Sequence, residues 1–116
     1  MRALGTSGEE LASHFLKKKG YRILERNYKT SIGEIDIIAK DRDITVFVEV
    51  KTRTDVSFGY PFESVHAKKQ HKLKNLALLY MKKKRIQSPA RFDVLSIILR
   101  KHGLSEIEHI EDAFEM

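Results

Sequence analysis

Three observations predict an α/β fold, a three-layer α/β/α sandwich around a mixed sheet. Two β-rich runs at residues 34–39 and 44–51 are joined by a short turn, a helix with apolar residues on one face spans 62–84, and a further β-rich run spans 91–99. A short turn makes neighbouring strands antiparallel, whereas a helical crossover lets them run parallel, so both pairings are expected in one sheet.

Each element has its own signal. Ser7 and Glu10 have the spacing of a capping box, so a first helix is expected to begin there. Leu11, Ala12, Phe15 and Leu16 form its apolar stripe, and Gly20 follows Lys17, Lys18 and Lys19 as a stop. Residues 21–28 read as a short strand. Lys40-Asp41-Arg42-Asp43 reads as the hairpin turn between the next two. In the long helix Leu73, Leu76, Ala77 and Tyr80 recur at one-face spacing. After the strand at 91–99, a turn at Lys101-His102-Gly103 leads to a weaker strand at 105–110. The order is αβββαβ(β). The two prolines, Pro61 and Pro89, fall where one element gives way to the next. With no repeat, linker or low-complexity tract, residues 1–116 are expected to form a single domain.

Composition limits the function classes. Of 116 residues, 41% are hydrophobic and 33% charged, the balance of a chain that folds around a core. The absence of cysteine excludes disulfides, thiolate metal sites and a cysteine nucleophile. No apolar run approaches the ~18 residues of a membrane span and the N-terminus lacks an apolar signal core, so a cytoplasmic protein without a membrane partner is expected. The net charge of +6 and pI near 9.6 suit a nucleic acid or another anionic surface, although the same surplus can serve solubility alone. There is no glycine-rich phosphate loop and no Gly-x-Ser-x-Gly elbow. His14, His66, His71, His102 and His109 show no metal-ligand spacing, the nearest approach being Glu106 with His109.

The unusual feature is an acidic hairpin. Glu34-Ile35-Asp36-Ile37-Ile38 sets two acids in an apolar strand, and Val46-Phe47-Val48-Glu49-Val50-Lys51 ends with an acid and a base. Buried carboxylates are costly unless they are paired or bind a cation. If Asp41 and Arg42 form a two-residue turn, Asp36 lies opposite Phe47 with Glu49 on the diagonal. A two-residue slip sets Asp36 directly opposite Glu49. In both registers Asp36, Glu49 and Lys51 share a face, whereas a one-residue slip would separate them. Two such carboxylates can hold a hard cation, Mg²⁺ or Mn²⁺, with Lys51 beside it to orient a water or stabilise a phosphorane-like state. The plainer alternative is a Glu49–Lys51 ion pair at a strand end with Asp36 in a polar turn site.

The chain resembles the YraN-type family, whose members look like small restriction-endonuclease-fold proteins, and is more distantly similar to archaeal Holliday-junction resolvases. The matching stretches are Gly8-Glu9 with Ala12, Gly20-Tyr21, Arg26-Asn27, Gly33-Glu34-Ile35-Asp36, Val46 through Arg53, Lys69-Gln70-His71-Lys72-Leu73, Arg91-Phe92-Asp93-Val94 and Asp112-Ala113-Phe114. The resemblance implies the nuclease signature P-D-x(n)-[D/E]-x-K, with Asp36, Glu49 and Lys51 on its charged positions and Ile35 in place of its proline. It also places Glu9 on an acid that resolvase-like relatives bring toward the metal; by itself Glu9 is equally a first-turn acid favoured by the helix dipole. A homodimer is a further implication, because resolvase-like relatives act as dimers.

A basic rim would complete such a site. Lys68, Lys69 and Lys72 crowd the front of the long helix, and Arg53 and Arg26 could extend the charge around the acidic pocket. The resemblance turns Gln70 toward the site. These groups suit phosphate contacts, which give affinity without sequence specificity, while a solvated helix face is the competing explanation for the lysines. In the segment 52–61, Phe58 and Tyr60 flank Gly59, as in a loop that stacks on bases or in ordinary core packing. Asp93 is expected to be a structural partner of Arg91. Together these features point to a Mg²⁺- or Mn²⁺-dependent endonuclease acting on DNA, with branched and single-stranded regions among the candidate substrates. The alternative is a non-catalytic nucleic-acid-binding module of the same fold.

Overall fold

In a computed structural model that describes residues 4–54, 66–100 and 105–115, the order is α1 (Leu4–Lys18), β1 (Arg22–Thr30), β2 (Gly33–Asp41), β3 (Ile44–Arg53), α2 (Ala67–Lys84), β4 (Ala90–Ile98) and β5 (Glu106–Phe114). The strands form one sheet in chain order, β1-β2-β3-β4-β5. Only β3 and β4 pair in parallel, and α2 is the crossover between them. The architecture is the expected three-layer sandwich, because strand alternation gives the sheet two apolar faces and each needs a cover. Ala12 and Leu16 of α1 pack with Ile37, Ala39, Val46, Val48, Leu95 and Ile97. Leu73, Leu76, Ala77 and Tyr80 of α2 pack with Ile38, Phe47 and Phe92 on the opposite face.

Several boundaries differ from expectation. Helix α1 starts at Leu4, so Ser7 lies inside it rather than capping it. Once the turn at Gly8 is packed against Thr52, each added residue gains a helical hydrogen bond at little further entropic cost. Helix α2 starts at Ala67, because His66 is extended (φ −79°, ψ 163°) and serves as its N-cap. Residues 62–65, the segment holding Phe58 and Tyr60, and the Lys101-His102-Gly103 turn lie outside the described residues. The hairpin turn is Arg42-Asp43, since Asp41 pairs with Ile44. Arg42 takes a left-handed φ of 59°, a requirement of the tight turns that match strand twist. Strand β5 continues to Phe114, whose ring stacks on Phe92 at 4.7 Å. Among the described residues no helix is long and apolar enough to cross a membrane.

A polar network ties β5 to the sheet and to the end of α1. Arg91 places Nε 2.8 Å from Asp93 Oδ1 and one terminal nitrogen 2.9 Å from Oδ2, the two-point pairing that suits guanidinium and carboxylate. His109 Nε2 lies 2.7 Å from Asp93 Oδ2, and the Asp112 N–H donates to Oδ1. Burial pushes the Asp93 carboxyl up, but the bonds from His109, Arg91 and Asp112 outweigh it and hold the group below the ordinary range. The expected Arg91–Asp93 partnership is thus present, with His109 added to it.

Candidate functional site

The turn at Arg42-Asp43 decides the geometry of the acidic hairpin. Its register runs Asp41↔Ile44 through Ile37↔Val48, so the next position along β2, Asp36, faces Glu49. This is the two-residue-shifted alternative, with the acids directly opposed. A second irregularity frees Asp36 to turn toward its neighbour. Its partner position on β1 is Asn27, which has a left-handed φ of 52°, a conformation asparagine tolerates better than most residues. Across this point the alternation reverses: Ile37 packs on the α1 side, whereas Ile35 and Tyr28 join the α2 side. Asp36 therefore sits at a kink shared by two strands. Its Oδ2 accepts the Val50 N–H at 2.8 Å, a bond otherwise made to a main-chain carbonyl.

The Asp36 carboxyl also lies beside that of Glu49, where a proton bonded between the two acids would relieve their repulsion. Burial first, then this bond and the Glu49 charge, push the Asp36 pKa up to about 8, against the pull of the Val50 N–H and with a small push from Glu9. Glu9, on α1, is thus close enough for its charge to be felt at Asp36. Gly8 lets α1 come this near, because its bare Cα lies against the Thr52 side chain of β3.

Glu49 is 7% exposed, and its Oε2 has no hydrogen-bond partner. Lys69 Nζ of α2 approaches that oxygen to 3.2 Å, as an ion pair without hydrogen-bond alignment. A buried carboxylate oxygen without a hydrogen bond, beside a second carboxyl whose pKa is raised by burial and by its acidic neighbour, is a donor set that fits a hard divalent ion. Asp36 and Glu49 would hold it.

The remaining residues of interest fall around this pair. Lys51 is half-buried, two positions beyond Glu49 on the same strand, beside Ser96 of β4. Arg53 ends β3, where its carbonyl accepts the Leu99 N–H at 2.7 Å and its Nε is buried without a hydrogen-bond partner. Lys68, Lys69 and Lys72 line, with His66, a cavity of about 260 Å³ over the front of α2. Gln70 is half-buried on the same helix. Arg26 is exposed on the edge strand β1, opposite Ile37 and next to the Asn27 kink.

Sequence reasoning did not foresee that Lys69 would be the cation on Glu49, nor that Asn27 would release Asp36. The first depends on how α2 crosses the sheet; the second had a local signal, an asparagine breaking a strand pattern. It also missed a second cluster, in which ligand atoms of Asp93, His109 and Glu111 lie within 4.8 Å of one another. Arg91 reaches both acids there, at 2.8 Å from Asp93 and 3.4 Å from Glu111, so a guanidinium already supplies the positive charge.

Comparison with known proteins gives a consistent relationship. The model of a family described as "Uncharacterised protein family UPF0102" matches residues 8–97. A UPF0102 protein of Thermodesulfovibrio yellowstonii is 51% identical over 111 residues, covering 96% of this chain and 95% of its own. A UPF0102 protein of Geotalea uraniireducens is 47% identical over 116 residues, with 99% and 91% covered. One from Dictyoglomus turgidum is 47% identical over 113 residues, with 96% of each chain covered. Similarity of this extent, spanning both helices and the acidic hairpin, makes the chain a member of the UPF0102 family.

Proposed function

We propose that the chain is a divalent-metal-dependent nuclease of restriction-endonuclease-like fold that hydrolyses DNA phosphodiesters, those of branched or single-stranded DNA included. The observation that carries this reading is the Asp36–Glu49 pair, two carboxyl groups that the register of two apolar strands brings together. A surface that only bound nucleic acid would gain nothing from acids turned toward phosphates. Bound between them, Mg²⁺ or Mn²⁺ supplies charge neutralisation at the phosphate and a more acidic water. The chain's own residues do the rest. Lys51 orients the attacking water and stabilises the charge developing on the phosphoryl oxygens. Glu9 supports the hydration shell from the α1 side. Lys68, Lys72 and Arg53 hold the flanking phosphates, with Gln70 and Arg26 at the margins of the strand's path.

The test is cleavage of duplex, single-stranded and four-way-junction DNA in Mg²⁺, in Mn²⁺ and in chelator. Cleavage that requires either ion and is lost in Asp36→Asn and Lys51→Ala is expected. Activity persisting unchanged in those variants refutes the assignment. Binding without cleavage in both ions would leave a nucleic-acid-binding module of nuclease fold.

A further inference from the structure

The first turn of α2 is built against its own dipole. A helix N-terminus carries partial positive charge and favours acids, yet this one has no acid in its first turn, where Lys68 and Lys69 stand, and no side-chain cap from His66. One of those lysines has two places to go. In one direction lies Glu49 Oε2, 3.2 Å from Lys69 Nζ. The other is the open groove of about 260 Å³ that its stem borders with His66, Lys68 and Lys72, where a withdrawn ammonium meets water. The Lys69 side chain is 43% exposed while that of Glu49 is 8% exposed, so the acid is held in place and the base is free to swing. Their contact lacks hydrogen-bond alignment, which makes it a weak hold on a flexible four-carbon stem.

We propose that Lys69 is an exchangeable counter-ion: it neutralises Glu49 in the metal-free protein and withdraws when a divalent cation occupies the Asp36–Glu49 pair. The inference rests on the metal-dependent reading of that pair and adds the order of events. Lys69 and a divalent cation cannot both neutralise Glu49 Oε2, so the ammonium and the ion compete for it. The metal-free protein is in turn spared repulsion between its buried acids. Lys69 is on this account a positioning residue, distinct from Lys68 and Lys72, which face the cavity without a described contact to Glu49.

The experiment is calorimetric titration of MgCl₂ into the full chain as wild type, Lys69→Met, Lys68→Met, Lys72→Met and Glu49→Gln. Methionine keeps the stem and removes the charge. Loss of the competing ammonium is expected to tighten Mg²⁺ binding about 5-fold in Lys69→Met, from a pair worth about 1 kcal/mol, and to leave the other two lysine variants within about twofold of wild type. In parallel, ¹³C-dimethylated lysines, which keep their charge, are followed by NMR. The Lys69 signal should move on addition of MgCl₂ in wild type and stay still in Glu49→Gln. If Mg²⁺ binds wild type and is lost in Glu49→Gln, but Lys69→Met matches Lys68→Met or the Lys69 signal is unmoved, the exchange is refuted and the metal site stands. If wild type takes up no Mg²⁺, the metal site and the exchange fall together.

Discussion

Replacing Gly8 by alanine tests the close approach of α1 to β3, the contact next to Glu9. A Cβ built on Gly8 overlaps Thr52 Oγ1 and lies 3.1 Å from both Cβ and Cγ2 of the same threonine. Carbon atoms in comfortable contact sit at about 3.5–4.0 Å, so either the threonine leaves its preferred rotamer or the helix lifts by several tenths of an ångström. Alanine for glycine inside a helix gains about 1 kcal/mol, and overpacking of this kind costs about 1–3 kcal/mol, so a net loss of about 1 kcal/mol is expected. The assay is urea unfolding of Gly8→Ala, Thr52→Ala and the double variant. The second substitution removes Oγ1 and Cγ2 and leaves only the Cβ contact, so the double variant should recover part of the helix gain, with a coupling of about 1–2 kcal/mol between the sites. A Gly8→Ala protein more stable than wild type, or additive behaviour in the cycle, would show that α1 does not press on Thr52.

Three other outcomes are expected. Folding raises the Asp36 pKa from 3.8 to about 8, so between those values the folded chain keeps a proton that the unfolded chain has released. In chelator, stability should therefore fall as pH rises from about 4 toward 8, and Asp36→Asn should flatten that decline; equal slopes in urea titrations of the two proteins would contradict the raised Asp36 pKa. Arg91→Met leaves the Asp93 carboxylate, whose side chain is 0% exposed, without its guanidinium, and should cost about 3 kcal/mol in the same assay. A loss below about 1 kcal/mol would mean that His109 and the Asp112 N–H suffice. Charge reversal at Lys68 and Lys72 should weaken DNA binding and flatten its dependence on salt, as loss of phosphate contacts does. An unchanged slope would move the phosphate path off α2.

Much of the fold was legible because its signals are local. The stripe Leu11, Ala12, Phe15, Leu16 and the stripe Leu73, Leu76, Ala77, Tyr80 specify helices by spacing alone, and the unbroken apolar run Val46, Phe47 and Val48 specifies a strand buried on both faces. Element ends were less legible, since α1 and α2 start where packing and backbone geometry allow rather than where a capping pattern suggests. The candidate carboxylates were legible as misplaced charge, because acids in apolar strands need a reason that a solvated acid does not.

Sequence by itself determined the layers, the crossover and the short list of acids and bases, all of which follow from periodicity and from the cost of burying charge. Only tertiary structure decided which members of that list meet. The turn at Arg42-Asp43 set Asp36 against Glu49, the left-handed Asn27 released Asp36 from the regular strand pattern, and the path of α2 over the sheet chose Lys69 as the cation on Glu49. Lys19 and His109, whose side-chain nitrogens lie 2.8 Å apart, are separated by 90 positions along the chain. The physical reason is range: spacing encodes what a residue does to its near neighbours, whereas register and helix docking are set by the sum of packing over the whole sheet.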